Sequence, residues 1–196
     1  MTGPTTVGRG GGRRKSLGIV PDDKDWTWVL QRPCPECGFD TRVVAREQVA
    51  GLIRANASSW RRIFAERGGP ELRARPDAVT WSPLEYACHV RDVFSLFDVR
   101  LGLMLDTDDP LYPNWDQDAT AVEQDYPSQD PSRVSDELGA AADRLADHFG
   151  AVTGTAWSRP GRRSDGASFT VETFARYLVH DPVHHLHDVG GAEPGH

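Results

Sequence analysis

With 196 residues, 38% of them hydrophobic and 26% charged, the chain holds material for one sizeable core and is unlike a disordered protein. A formal net charge of −7 argues against a surface that neutralises nucleic-acid phosphates. No apolar run of about 18 residues could span a bilayer, and three cysteines are too few for a disulfide framework.

Residues 1–24 are rich in Gly, Thr and Arg, and carry the basic cluster Arg9, Arg13, Arg14 and Lys15. That composition predicts a mobile tail, and the lack of an apolar stretch after its charges argues against a secretory signal. A reducing cytoplasm is the expected compartment. Residues 25–41 then read as an irregular strap with two tryptophans and a CxxC, Cys34 and Cys37.

A helical period runs from Arg42, with Val49, Ile53, Trp60 and Phe64 on one stripe, and Gly68, Gly69 and Pro70 end it. A second helix is announced by Ser82 as N-cap, Pro83 at the first position and Glu85 completing a capping box. Residues 107–130 form a long acidic and aromatic connection, of the kind that walls or covers a pocket. Asp130 and Pro131 open a third helix, followed by Val134, Leu138, Ala142, Leu145 and Phe149 at helical spacing. Thr170 caps a fourth, with Phe174, Tyr177, Leu178 and Val183 as its apolar residues. No period-two pattern predicts a strand. The expected architecture is all-α, a four-helix bundle with a long connection between helices 2 and 3. It occupies residues 25–190 as a single domain, with residues 191–196 as a C-terminal tail.

Four of the seven histidines fall between residues 180 and 187, in YLVHDPVHHLHDVGG. His180 and His184 are i and i+4, so both imidazoles share one helix face and could chelate one metal ion. His185 is turned by about 100° toward another neighbour. A catalytic site needs a third ligand, and His89 is the natural candidate, lying beside the core stripe of the second helix. His148 competes less well, because Leu145 and Phe149 already occupy the core face of its helix. A solvated histidine-rich face has the same spacing; His89 tilts the balance toward metal.

WSPLEYACHVRD and HDPVHHLHDV resemble the second and fourth helices of the DinB/YfiT-like four-helix-bundle superfamily, over roughly residues 42–190. The resemblance implies a divalent metal, zinc foremost, with nickel, iron or manganese as alternatives, held by His89, His180 and His184. It also implies enzymes that use a low-molecular-weight thiol, such as mycothiol-dependent maleylpyruvate isomerase and bacillithiol or mycothiol S-transferases. The expected function is therefore thiol transfer or thiol-assisted isomerisation on a small electrophile. A hydrolase using metal-bound water and a non-catalytic metal-binding or stress-associated interaction protein are the alternatives.

Two departures stand out. Leu186, His187 and Asp188 replace the polar pair that often follows the family's HH, and Pro182 interrupts the ligand helix. A mid-helix proline removes a hydrogen bond and predicts a kink that could part His180 from His184.

Around the site, Asp92 and Asp188 are candidates to orient a histidine ligand. Arg91, Arg162 and Arg163 are candidates to hold a substrate carboxylate. Trp115 would close the pocket or anchor its loop. His185 and His187 are bystanders, supporting groups or a fourth ligand. The CxxC pair admits three readings: a second zinc site completed by His187 or Asp188, a labile disulfide, or inert thiols. Cys88 reads as a small buried hydrophobe. A small-molecule substrate is the expected partner, with no nucleic acid or membrane, and a homodimer is compatible with the exposed bundle faces.

Overall fold

A computed structural model describes residues 25–191. The expected tail at 1–24 and residues 192–196 lie outside the described residues. Six α-helices follow in order: α1 (Val49–Glu66), α2 (Gly69–Arg73), α3 (Pro83–Asp106), α4 (Gln117–Glu123), α5 (Pro131–Gly150) and α6 (Val171–Asp188). Helices α1, α3, α5 and α6 make the bundle. α5 packs against both α1 and α3, and α6 closes the ring by packing on the same two helices.

The caps form as their residues dictate. Ser82 accepts from the Glu85 backbone N–H at 3.3 Å, and the Glu85 carboxylate accepts from the Ser82 N–H at 2.9 Å. Asp130 and Thr170 accept from the backbone of Arg133 and Thr173 to start α5 and α6. The apolar stripes meet in one core that includes Ile53, Trp60, Phe94, Leu101, Leu138, Leu145, Phe149 and Phe174. Leu101 is fully buried there. Leu101→Ala should cost ~2–5 kcal/mol through lost transfer energy and an unfilled cavity, read as a lower urea midpoint. An unchanged midpoint would contradict this packing.

Three details differ from the sequence reading. α1 begins at Val49, because residues 41–48 spend themselves on two 3-10 turns, Thr41–Val43 and Arg46–Gln48. α1 ends at Glu66, just ahead of the glycines, and Gly68 caps a short helix, α2, whose first turn holds Gly69 and Pro70. A three-stranded sheet also exists: β1 (Leu111–Tyr112) pairs in parallel with β2 (Pro160–Arg163), which pairs antiparallel with β3 (Ser168–Thr170). Strands of two to four residues are too short to show alternation, and their pairing joins two loops distant in sequence. Gly161 permits the close approach of this sheet to α3, since a Cβ there would lie 2.7 Å from Met104 Cγ.

α6 runs unbroken through Pro182. The proline cannot donate to the Leu178 carbonyl. Its own carbonyl is fixed by Asn56 of α1, whose Nδ2 donates to it at 2.7 Å.

Candidate metal centres

Helix α6 carries two donor faces. Successive helical residues are rotated by about 100°, so His180 and His184 form one stripe and Asp181 and His185 the next.

The first stripe meets the strap. In CPECG the Gly38 N–H donates to the Cys34 carbonyl and the Cys34 N–H to the Phe39 carbonyl, each at 2.9 Å. Gly38 has φ 76°, a left-handed conformation glycine adopts without penalty, and this turn closes the CxxC loop. Cys34 Sγ then lies 3.7 Å from His184 Nδ1, and Cys37 Sγ lies 3.8 Å from His180 Nε2. One ligand atom from each of the four residues lies within 4.8 Å of the other three, and all four residues are buried. The Trp26 ring covers both imidazoles, at 5.6 Å from His180 and 5.3 Å from His184. Burial, aided by the neighbouring His184, pushes the His180 imidazole down to about 4. Burial also lowers His184, against the pull of Asp188. Both therefore favour the neutral, ligating form.

The second stripe faces α3. There one ligand atom each of His89, Asp181 and His185 lie within 4.8 Å of one another. His89 Nε2 and His185 Nε2 stand 3.4 and 3.7 Å from Asp181 Oδ1. His89 Nδ1 and Nε2 and Asp181 Oδ1 are buried and make no hydrogen bond among the described residues. Such orphaned polar atoms are costly unless something else satisfies them. Burial alone would raise the Asp181 carboxyl, but the facing His89 and His185 imidazoles outweigh it and hold the acid far below the usual carboxylate range. His185 Nδ1 lies 3.0 Å from Asp188 Oδ2. Burial would raise Asp188 as well, and the His185 contact overrides it. Asp188 thus faces Nδ1 of His185 while Asp181 faces its Nε2, one carboxylate on each ring nitrogen.

The structure thus divides the expected trio. His180 and His184 converge despite Pro182, but on Cys34 and Cys37; His89 meets Asp181 and His185 instead. Asp181 escaped the sequence reading, although its i, i+4 spacing to His185 repeats that of His180 and His184 one residue later. The strap does cross α6 as expected for a second zinc, but the facing residues are His180 and His184. His187 is half-exposed and lies nearer Asp188 (3.9 Å) than either group.

The surrounding candidates are placed as follows. Asp188 contacts His185 more closely than His184, whose Nε2 is 3.8 Å away. Asp92 accepts from Tyr126 Oη at 2.5 Å and Arg91 Nε at 2.8 Å, so it does not orient His89. Arg91 is further bound to Gln124, Gln129 and Glu137. Arg162 pairs with Asp109, and Arg163 with Asp165 and Tyr177. All three arginines are thereby committed to structural partners. Trp115 anchors its loop, its Nε1 donating to Thr120 at 2.7 Å in α4, and its ring stacks on His89 at 5.3 Å. Cys88 is fully buried, and burial pushes its thiol up to about 12, so it stays protonated. His148 is paired with Asp98 at 2.8 Å.

A cavity of about 210 Å³ is lined among others by Arg75, Trp81 and Asp188, neighbours of the His89 group, but by none of its three ligand residues. Trp81 packs on His89 at 5.4 Å and Tyr86 on His185 at 4.8 Å. A larger hollow of about 570 Å³, lined by Arg91, Asp92, Arg133 and Glu137, contains none of the ligand residues.

No curated protein matches the sequence. Among solved structures, YfiT from Bacillus subtilis, described as a probable metal-dependent hydrolase with an unusual four-helix-bundle topology, is similar at a TM-score of 0.67. It is 17% identical, over 74% of this chain and 84% of that one. Two structures of mycothiol-dependent maleylpyruvate isomerase, one of them a mutant, are similar at TM-scores of 0.63 and 0.61 with 13% identity. They align over 78% of this chain, which spans 64% of theirs. At these identities the likeness concerns the fold. The family model of the DinB superfamily matches residues 52–189, from the first turn of α1 to the end of α6, and the chain belongs to that superfamily.

Proposed function

We propose that the chain is a divalent-metal-dependent enzyme whose reactive ion is held by His89, Asp181 and His185. The observation carrying this reading is the convergence of three ligand atoms that are buried or held in place, two of their residues with no other bond to make. With metal–ligand bonds of about 2.0–2.1 Å, tetrahedral ligands stand ~3.4 Å apart. The observed 3.4 and 3.7 Å separations fit that edge. Three protein ligands leave a coordination position open, as catalytic sites require.

Bound there, a divalent ion supplies Lewis acidity and lowers the pKa of a water or thiol at the open position toward 7. The chain's own residues do the rest. Trp115, stacked on the His89 ring, and Trp81, tilted against it, fix that imidazole, and Asp188 orients His185. Asp181 brings the negative charge, its Oδ1 buried and about a third of its side chain exposed. Trp81 and Trp115 pack on His89 and Tyr86 on His185, so aromatic rings surround the two imidazoles.

The His₂Asp donor set favours water as the nucleophile, since two histidines and a carboxylate are a recurring hydrolase ligand set. The engagement of Arg91, Arg162 and Arg163 argues against a substrate held by its carboxylates. A thiol co-substrate of the mycothiol type is the second reading, supported by the fold shared with the thiol-dependent isomerase. Turnover of activated esters and amides is expected without added thiol and is lost on chelation. Turnover only with a thiol and an electrophilic aryl halide would select the second reading. Activity indifferent to chelation would sink both.

A further inference from the structure

Cys34, Cys37, His180 and His184 are not needed by that enzymatic reading, yet they form the more completely built cluster. We propose that they hold a second zinc ion in a closed, non-catalytic site that staples the strap to α6.

Five arguments converge. Tetrahedral bonds of about 2.3 Å to sulfur and 2.05 Å to nitrogen place the two ligand atoms ~3.6 Å apart. The sulfur–nitrogen separations here are 3.7 and 3.8 Å, from two cysteines and two histidines drawn from segments more than 140 residues apart. Four protein ligands fill the coordination sphere, which marks a structural rather than a reactive ion. Two thiolates and two neutral imidazoles suit zinc in softness and geometry. The charges also balance: both thiols release their protons to solvent, and two thiolates neutralise one Zn²⁺, so the filled site adds no net charge to a buried place. Finally, His184 is backed by an outer carboxylate, with Glu36 Oε2 3.4 Å from its Nε2 while Nδ1 faces Cys34. That arrangement holds a ligating imidazole in its working tautomer.

The staple acts on the other site through the helix. His180 and His184 bracket Pro182, where α6 lacks a backbone bond, and Asp181 and His185 lie one residue further along. An ion on the first pair fixes the rotation and bend of the turn that presents the second pair to His89.

The test uses the full chain loaded with zinc or cobalt(II). Wild type is expected to bind two equivalents and, with cobalt, to show thiolate-to-metal charge-transfer absorption. His89→Ala should keep that absorption and one equivalent; Cys34→Ser should lose it. This separates the present proposal from the enzymatic one, which concerns only the ion lost in His89→Ala. Should Cys34→Ser fail to fold, wild-type alkylation by iodoacetamide decides the matter. Zinc should protect Cys34 and Cys37, chelation should expose them, and buried Cys88 serves as control. Absence of the charge-transfer band, alkylation equal with and without zinc, or a Cys34–Cys37 disulfide in the zinc-loaded protein would each overturn the proposal.

Discussion

His89→Ala should remove one of two metal equivalents and lower turnover by more than about 100-fold, the upper end of what losing an outer-sphere partner costs. His89 is the one ligand of its group outside α6, so without it Asp181 and His185 are left as a two-ligand site on a single helix. The variant should still fold. Among the described residues His89 makes no hydrogen bond, its nearest polar contact being Asp181 Oδ1 at 3.4 Å, and removing the imidazole takes two unsatisfied polar atoms out of the interior. Asp188→Asn is the graded companion. It keeps the shape but donates or accepts, so His185 is less firmly oriented, and affinity for the reactive ion should fall about 10–100-fold. Metal content, a urea midpoint and turnover on the same samples check the pair. Full metal content in His89→Ala would remove His89 from the site.

The helices were legible because their signals are local. Ser82 with Glu85, Asp130 with Pro131, and Thr170 are caps that act within one turn, and the apolar stripes behind them need only helical periodicity. β1 and β2 were not legible, because parallel pairing of Leu111 with Arg162 follows from tertiary placement of two loops. The site was half legible for a related reason. The spacing of His180 to His184 showed that one helix face could chelate a metal. A shift of one residue turns a side chain by about 100°, and only the packing of α6 against α3 and the strap decides which stripe faces which neighbour. His89 stood out as a buried polar residue beside the core stripe, but the residues it faces, Asp181 and His185, lie one position along from the pair that spacing singled out. Pro182, the apparent obstacle, lies within an unbroken helix whose proline carbonyl is held by Asn56.

The second large effect concerns Glu85, which couples the start of α3 to the linker ahead of it. Its side chain is 1% exposed. It accepts from the Ser82 N–H and pairs through both oxygens with Arg75, whose Nε donates at 2.9 Å. Breaking a buried ion pair from one side costs ~3–5 kcal/mol, so Glu85→Ala should forfeit a large share of the ~5–15 kcal/mol typical of a domain. Glu85→Gln should cost less, since an amide oxygen still accepts from Ser82. The pH dependence separates charge from shape. Burial acts to raise the Glu85 carboxyl, but Arg75 and the Ser82 contacts together hold it below its ordinary value of 4.5. A depressed carboxyl contributes stability above its unfolded pKa and loses it as pH falls through the folded one. The wild type's advantage over Glu85→Gln should therefore be full at neutral pH and shrink below about pH 4. Paired urea midpoints across that range measure it. An advantage that stayed constant into acid would show that Glu85 stabilises α3 by shape and hydrogen bonding, with no contribution from its charge.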